Sequence, residues 1–462
     1  MGLISVIRGL GLLLVILGIA MMAPLALAVF YREEVMAGFL VGAAVTILFG
    51  VSALFASAKR AGAPRVRAAL GLILLGWVVT PVFAAIPFHA GGLTPLEAYF
   101  EAVSALTTTG AWINKEAAIA NSAEMFWRAE LQWLGGLASL ATAAAIFIRP
   151  AFIGIDTLLP PFARGEDSSY IRPLMAALRA FLPLYALLTF LAFVALAVAG
   201  SPILEASVMA MSLVSTGGFI PHTDGINGFS PTVHGVVFPF LLFGGANFVV
   251  MVNILRQGTQ RSRDIETNAY LLIVLWVGVL FWIMAGAEGA SDFPQQMLNA
   301  ASAVSTNGFF LGEKPALVAA LVTSIIGGAA VSTAGGFKVL RWLVITRRAR
   351  EEIRRLAAPN AVFGKRRVAN ELGVWMHFLM FTLSLGALLL MMCIGGQNLS
   401  VASAAATAAL SNAGPLLELT DAGGNYGQFS PLLQIVLIVG MILGRLEAAA
   451  ALAIVSVAFW RS

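Results

Sequence analysis

Long apolar stretches, separated by shorter half-polar ones, set the pattern of this chain. Stretches long enough to cross a bilayer occupy residues 9–30, 35–57, 67–88, 123–148, 175–200, 232–255, 267–287, 315–343, 372–395 and 430–459. About 20 apolar residues suffice for one helical crossing, and helices bond their own backbone inside lipid. The pattern predicts ten transmembrane helices in an all-α polytopic membrane protein. Four half-apolar segments lie between them, near 95–109, 203–217, 293–307 and 399–413. They are too short to cross. They read as re-entrant segments, tolerated at membrane depth only where protein encloses them or water lines them.

Composition agrees. Of 462 residues 59% are hydrophobic and 11% charged, against about 25% charged in soluble domains. The net charge of +5 would suggest nucleic acid in a soluble chain, but topology explains it here. Place the N-terminus in the cytoplasm and alternate sides at each span. Of the 28 Lys and Arg residues, only Arg32, Lys115, Arg128 and Lys314 then fall outside, with Arg445 inside a span. Positive charge concentrates on the cytoplasmic side, so both termini are expected there and all four re-entrant segments on the outside. Ala26-Leu27-Ala28 resembles a signal cleavage site, but the stretch 9–30 is too long for a signal-peptide core and is expected to be a retained first helix. The basic run 341–367 is the largest cytoplasmic segment: a topology anchor, or a docking surface for a cytoplasmic or lipid partner. The one cysteine, Cys393, can form no internal disulfide.

The re-entrant segments repeat. They read Ser104-Ala-Leu-Thr-Thr-Thr-Gly110, Ser212-Leu-Val-Ser-Thr-Gly-Gly218, Ser302-Ala-Val-Ser-Thr-Asn-Gly308 and Ala408-Ala-Leu-Ser-Asn-Ala-Gly414. Each ends in glycine, with a hydroxyl residue three positions earlier: Thr107, Ser215, Ser305 and Ser411. The glycines stand 108, 90 and 106 residues apart. Four helix–loop–helix units of one orientation imply pseudo-four-fold symmetry about one axis, with two helices before residue 63 outside the repeat. Small residues favour close helix packing, which explains one such segment but not four at similar intervals. Paired inverted repeats of a secondary transporter predict two units instead.

Such loops suit a cation. An ion entering a membrane must replace its water, and rings of backbone carbonyls do this in potassium filters. Glycine admits the backbone geometry needed, and the C-terminal dipole end of a short helix entering from outside favours positive charge. Glu97 and Glu205 stand 13 residues before their glycines, where Gln295 and Val401 stand in the other repeats; Glu101 is additional. They are read either as charge complementing a helix N-terminus or as a mouth that concentrates cations.

Two further elements stand out. The span 315–343 is interrupted by Gly327, Gly328, Ser332, Thr333, Gly335, Gly336 and Lys338, and broken helix at membrane depth lines a cavity. The last span carries Arg445, a costly buried charge that is a functional candidate; Glu447 is too near in sequence to face it. His89, His222, His234 and His377 are scattered and suggest no metal site. There is no nucleophile–base pair or phosphate-binding loop, so an enzyme is not expected.

On these motifs the sequence resembles the TrkH/KtrB/HKT superfamily of potassium transport proteins, from about residue 67 onward. Its two extra N-terminal helices are similar to the bacterial TrkH branch. The resemblance implies two N-terminal helices (1–62) and pore repeats at 63–165, 166–262, 263–366 and 367–462, each a first helix, a pore helix and a second helix. It implies potassium uptake across the inner membrane, with a sodium- or proton-coupled symporter as the alternative. It also implies a homodimer, a cytosolic nucleotide-binding subunit of the TrkA type, lipid contact, and no cofactor beyond K+ itself. The filter residues it implies are Thr107, Thr108, Thr109 and Gly110; Ser215, Thr216, Gly217 and Gly218; Ser305, Thr306, Asn307 and Gly308; and Ser411, Asn412, Ala413 and Gly414. Residues 326–338 would be a gating loop, and Arg445 a positive barrier under the filter. Asn307 and Ala413 depart from the family's glycine-rich pattern. Gly110, where sodium-transporting plant relatives carry serine, favours potassium.

Overall fold

In the computed structural model, residues 2–58, 66–147, 171–257, 264–286, 292–357 and 372–446 are described. An N-terminal hairpin comprises α1 (Gly2–Ala20), α2 (Met22–Tyr31) and α3 (Met36–Ser57). The first repeat contains α4 (Val66–Ala84), α5 (Ile86–Ala90), the pore helix α6 (Pro95–Leu106), α7 (Lys115–Ala120) and α8 (Ser122–Phe147). In the second, α9 (Ile171–Val198) and the pore helix α10 (Ile203–Ser215) precede α11 (Pro231–Gly245) and α12 (Phe248–Gln257). The third has α13 (Ile265–Met284), the pore helix α14 (Phe293–Val304), α15 (Leu317–Ile326) and α16 (Val339–Ala357). The fourth has α17 (Leu372–Ile394), the pore helix α18 (Leu399–Ser411) and α19 (Pro431–Arg445).

First and second helices of the repeats differ in kind. Six described stretches are long and apolar enough to cross a membrane: α1–α2, α3 and the first helix of each repeat. The second helices, at the expected spans 123–148, 232–255, 315–343 and 430–459, do not read as uniform spans. α8 carries Glu124, Arg128, Glu130 and Gln132. The second repeat bends by 98° between α11 and α12, a break that the apolar pattern of 232–255 conceals. The third opens into a loop after α15, as expected. In the fourth, α19 ends at Arg445, and Glu447 lies outside the described residues. The first helices are largely apolar, although α13 begins with buried Glu266. The second helices line the interior, where polar groups and broken backbone find partners.

The repeats close a ring. Each pore helix packs on the second helix of the preceding unit: α10 on α8, α14 on α11, α18 on α15, and α6 on α19. Within a unit the second helix comes close to the pore-helix backbone. A Cβ on Gly135 would stand 1.7 Å from the Leu106 carbonyl oxygen, one on Gly244 2.9 Å from that of Leu213, and one on Gly444 2.2 Å from that of Leu410. Outside the ring, α1 and α3 touch backbone to backbone at Gly11 and Gly50, a small-residue helix contact. Glu33, in the turn after α2, accepts from the Ser122 and Ala123 amides at 2.8 and 3.0 Å. It satisfies free N–H groups at the start of α8 and ties the hairpin to the ring.

Gly135→Val should therefore destabilise the protein by roughly 2 kcal/mol or more, because backbone cannot yield as a side chain can. Gly386→Val, on a lipid-facing helix with open space at the added Cβ, serves as the comparison. Melting temperatures in detergent check this; equal losses in both would show that the Gly135 contact is dispensable.

Candidate functional site

Below each pore helix the chain turns by the same device. Thr108, Thr216, Thr306 and Asn412, each two residues before the loop glycine, are left-handed, with φ between 52° and 60°. A non-glycine residue there costs about 1–3 kcal/mol and persists only where its surroundings impose it. Gly110, Gly218 and Gly308 are also left-handed, at φ 74°, 76° and 79°. Gly414 is not; it opens a 3-10 turn, Gly414–Leu419, led by Pro415.

Each glycine abuts the next loop around the axis. A Cβ on Gly110 would lie 2.1 Å from the Gly217 carbonyl oxygen, one on Gly218 2.4 Å from that of Asn307, and one on Gly308 3.4 Å from that of Ala413. The Gly414 amide closes the circle by donating to the Thr109 carbonyl at 2.6 Å. The acceptor is always the residue just before the next glycine, so the sixteen loop residues proposed from sequence form one collar. Gln132 supports it from α8, its Nε2 donating to the Gly217 carbonyl at 2.6 Å. Asn412 Nδ2 donates to Thr109 Oγ1 and to the Met441 carbonyl, both at 3.0 Å. Among the described residues, the collar also holds buried oxygens without a protein partner: Thr108 Oγ1, Asn307 Oδ1, Ser411 Oγ and Asn412 Oδ1.

The interrupted segment 327–338 lies directly beneath. Gly327 and Gly336, at φ 73° and 74°, press together at its neck; a Cβ on Gly336 would stand 2.7 Å from Gly327 Cα. The Gly335 amide donates to Thr306 Oγ1 in the collar at 2.7 Å, and a Cβ on Gly335 would meet the Ser411 carbonyl at 1.9 Å. Thr333 Oγ1 lies 2.9 Å from both the Val214 and Gly244 carbonyls. Ser332 Oγ donates to the Ala329 carbonyl, and Lys338 Nζ to that of Ala334. A Cβ on Gly328 would lie 2.9 Å from the Gly245 carbonyl, whose oxygen accepts from the Ala329 amide at 2.8 Å. Buried Glu266 bridges the Ala330 amide and Asn247 Nδ2. The bend of the second repeat and the third repeat's loop therefore form one assembly. Sequence reading missed Gln132, Asn247 and Glu266; polar residues inside apolar spans were the available signal.

Arg445 sits at the end of α19, its Nη1 donating to the Thr333 carbonyl at 2.9 Å. Among the described residues Nε and Nη2 have no acceptor and Arg445 has no ion pair. With Ser332, Gly335, Gly336 and Lys338 it lines a recess on the inner side of the loop.

On the outer side, Trp112, Gly218, Phe309, Pro415, Lys115, Asp224, Lys314 and Glu418, among others, line an open recess. Glu418 accepts from Lys115 Nζ at 3.2 Å. Glu97 lies in a capping box with Thr94, which supports the helix-terminus reading. Glu101 faces neither mouth nor water. It is buried against Arg128, 2.9 Å away, which also pairs with Glu124 at 3.3 Å. Arg128, counted above as external, belongs to this network.

The profile of a family described as "TrkH: Cation transport protein" matches residues 36–285 and 291–459. The chain is similar to the Trk system potassium uptake protein TrkH of Halomonas elongata, 28% identical with both chains covered in full. Trk system potassium uptake protein TrkG of Escherichia coli is 27% identical, covering 98% of this chain and 97% of its own. The crystal structure of the potassium transporter TrkH from Vibrio parahaemolyticus superposes over the whole of both chains, with a TM-score of 0.88 and 27% identity.

Gly110→Ser should distort the collar, because the new Cβ meets the Gly217 oxygen and the positive φ is lost to strain. The ratio of rubidium to sodium flux in proteoliposomes is expected to fall severalfold. An unchanged ratio would remove Gly110 from the ion path.

Proposed function

The chain belongs to the TrkH family of cation transport proteins, and on that premise we propose that it takes up potassium through one axial pore. The observation that carries this reading is the collar: four left-handed turns, each glycine seated on the carbonyl before the next. In this reading K+ sheds water at the outer recess, and oxygens of 107–110, 215–218, 305–308 and 411–414 replace it. The four pore-helix C-termini point their dipoles at the ion. We assign the repeats to 63–165, 166–262, 263–366 and 367–462, after the N-terminal pair at 1–62.

The loop 327–338 is the gate in this reading. It is held by bonds to three repeats, and Arg445 both clasps it and opposes a passing cation. A like charge at about 5 Å in an effective dielectric near 20 costs on the order of 3 kcal/mol. The multi-pass chain would sit in the inner membrane with both termini cytoplasmic, as the charge bias favours. We propose assembly as a homodimer with a cytosolic nucleotide-binding subunit of the TrkA type, as the family resemblance implies. Transport, with no reaction catalysed, is the activity.

Expression in a strain lacking its own potassium transporters should restore growth at low external potassium; no uptake by folded, inserted protein would refute the proposal. Arg445→Ala should raise flux severalfold at an unchanged melting temperature, since it removes both the clasp and the charge. Lower flux with lost stability would make Arg445 a structural group instead.

A further inference from the structure

The outer legs of the four loops, just past the glycines, are held unequally. In the first repeat Glu101, nine residues before Gly110, accepts from the Ile113 amide through Oε1 at 2.7 Å. Its Oε2 accepts from Arg128 Nε at 2.9 Å. In the third, Asn299 stands nine residues before Gly308, and its Oδ1 accepts from the Leu311 amide at 2.7 Å. Its Nδ2 donates to the Leu311 carbonyl at 3.0 Å. Ile113 and Leu311 both lie three residues past their glycines. Different side chains thus make the same bond at the same register in alternate repeats. Both are buried, Glu101 at 1% exposure and Asn299 at 0%.

The second and fourth repeats have no counterpart at that register; the fourth leg is held differently, by Tyr426 Oη donating to the Gly414 carbonyl at 2.8 Å and Lys314 Nζ to the Glu418 carbonyl at 2.7 Å. Their equivalent positions are Met209 and Ala405, and the residue three past Gly218 is Pro221, which has no amide to donate. Instead, these repeats lend their outer segments to the other two. After the second loop, Asn227 Oδ1 accepts from the Gly312 amide at 2.6 Å, and its Nδ2 lies 3.4 Å from the Phe310 carbonyl. After the fourth, the Tyr426 and Gly427 amides donate to the Trp112 and Ile113 carbonyls at 2.9 and 3.2 Å. The first and third legs are therefore clamped twice, once by their own pore helix and once by the preceding repeat.

We infer that the pore is two-fold in its rigidity: Glu101, set by Arg128, and Asn299 are positioning residues that fix the first and third loops, and these two loops set ion discrimination. This rests on the filter reading above. Selectivity needs oxygens that do not follow the smaller sodium ion inward. A leg bonded on both sides resists that collapse, whereas the second and fourth legs take their shape from their neighbours. The sequence departures agree with this division only in part: Ala413 lies in a loop without the pore-helix bond, but Asn307 lies in one that has it.

The test is rubidium and sodium flux through the full chain in proteoliposomes, with melting temperature measured on the same preparations. Asn299→Ala removes one acceptor and leaves no buried charge, and the rubidium-to-sodium ratio should fall about fivefold, the size of one net hydrogen bond. Glu101→Gln keeps the shape but sets an amide against Arg128, and should lower the ratio similarly. Met209→Leu, at the same register of an unclamped repeat, should leave the ratio within twofold of wild type. A general packing defect would lower melting temperature and total flux in all three without moving the ratio selectively. Ratios equal to wild type in both Asn299→Ala and Glu101→Gln would overturn the inference, as would an equal fall in Met209→Leu. Failure of the filter reading looks different: the wild-type chain would then show no preference for rubidium over sodium.

Discussion

Backbone meets backbone at the centre of this fold, and the rest is built to permit it. Gly110 and Gly218 have no room for a Cβ without displacing a carbonyl of the next loop, Gly308 lies in contact distance of one, and Gly414 bonds directly to the Thr109 carbonyl. Such an arrangement requires four loops of one shape at one depth. It therefore requires four pore helices of one orientation, each lodged between the second helix of its own repeat and that of the preceding one. The strain at Thr108, Thr216, Thr306 and Asn412 is sustained by that packing.

The same constraint sorts the helices. First helices stand at the periphery and are largely apolar, although α13 contributes buried Glu266 from its first turn. Second helices approach the collar and the loop beneath it, so they carry glycines, amides and charges that this approach demands. Below the collar, the Thr333 hydroxyl reaches carbonyls of the second repeat, Gly335 bonds to Thr306, Glu266 fixes Ala330, and Arg445 takes the Thr333 carbonyl. A shift of any of these elements is felt by the loop beneath the collar.

Much of this was legible in the sequence. The four Gly-terminated loops, the interrupted third repeat and the lone Arg445 were visible because each breaks an apolar pattern at a recurring register. The bend at Asn247 was not, since 232–255 is apolar on both sides of it. Arg128 was placed outside because charge counting assigns sides and cannot show that two charges pair in the interior, and Glu101 was grouped with the carboxylates of helix termini and mouth for the same reason. Asn299 was missed because the comparison of loops began six residues before each glycine, three short of the register where Glu101 and Asn299 coincide. The outward partners Asn227 and Tyr426 lie in segments with no repeat, and only the folded ring brings them to the first and third legs.

The central claim is that the collar itself holds the ion. Crystals of the full chain soaked in thallium or rubidium salt would test it through anomalous difference density. The account predicts peaks on the axis, ringed by residues 107–110, 215–218, 305–308 and 411–414. Density confined to the outer recess near Glu418, with none on the axis, would contradict it.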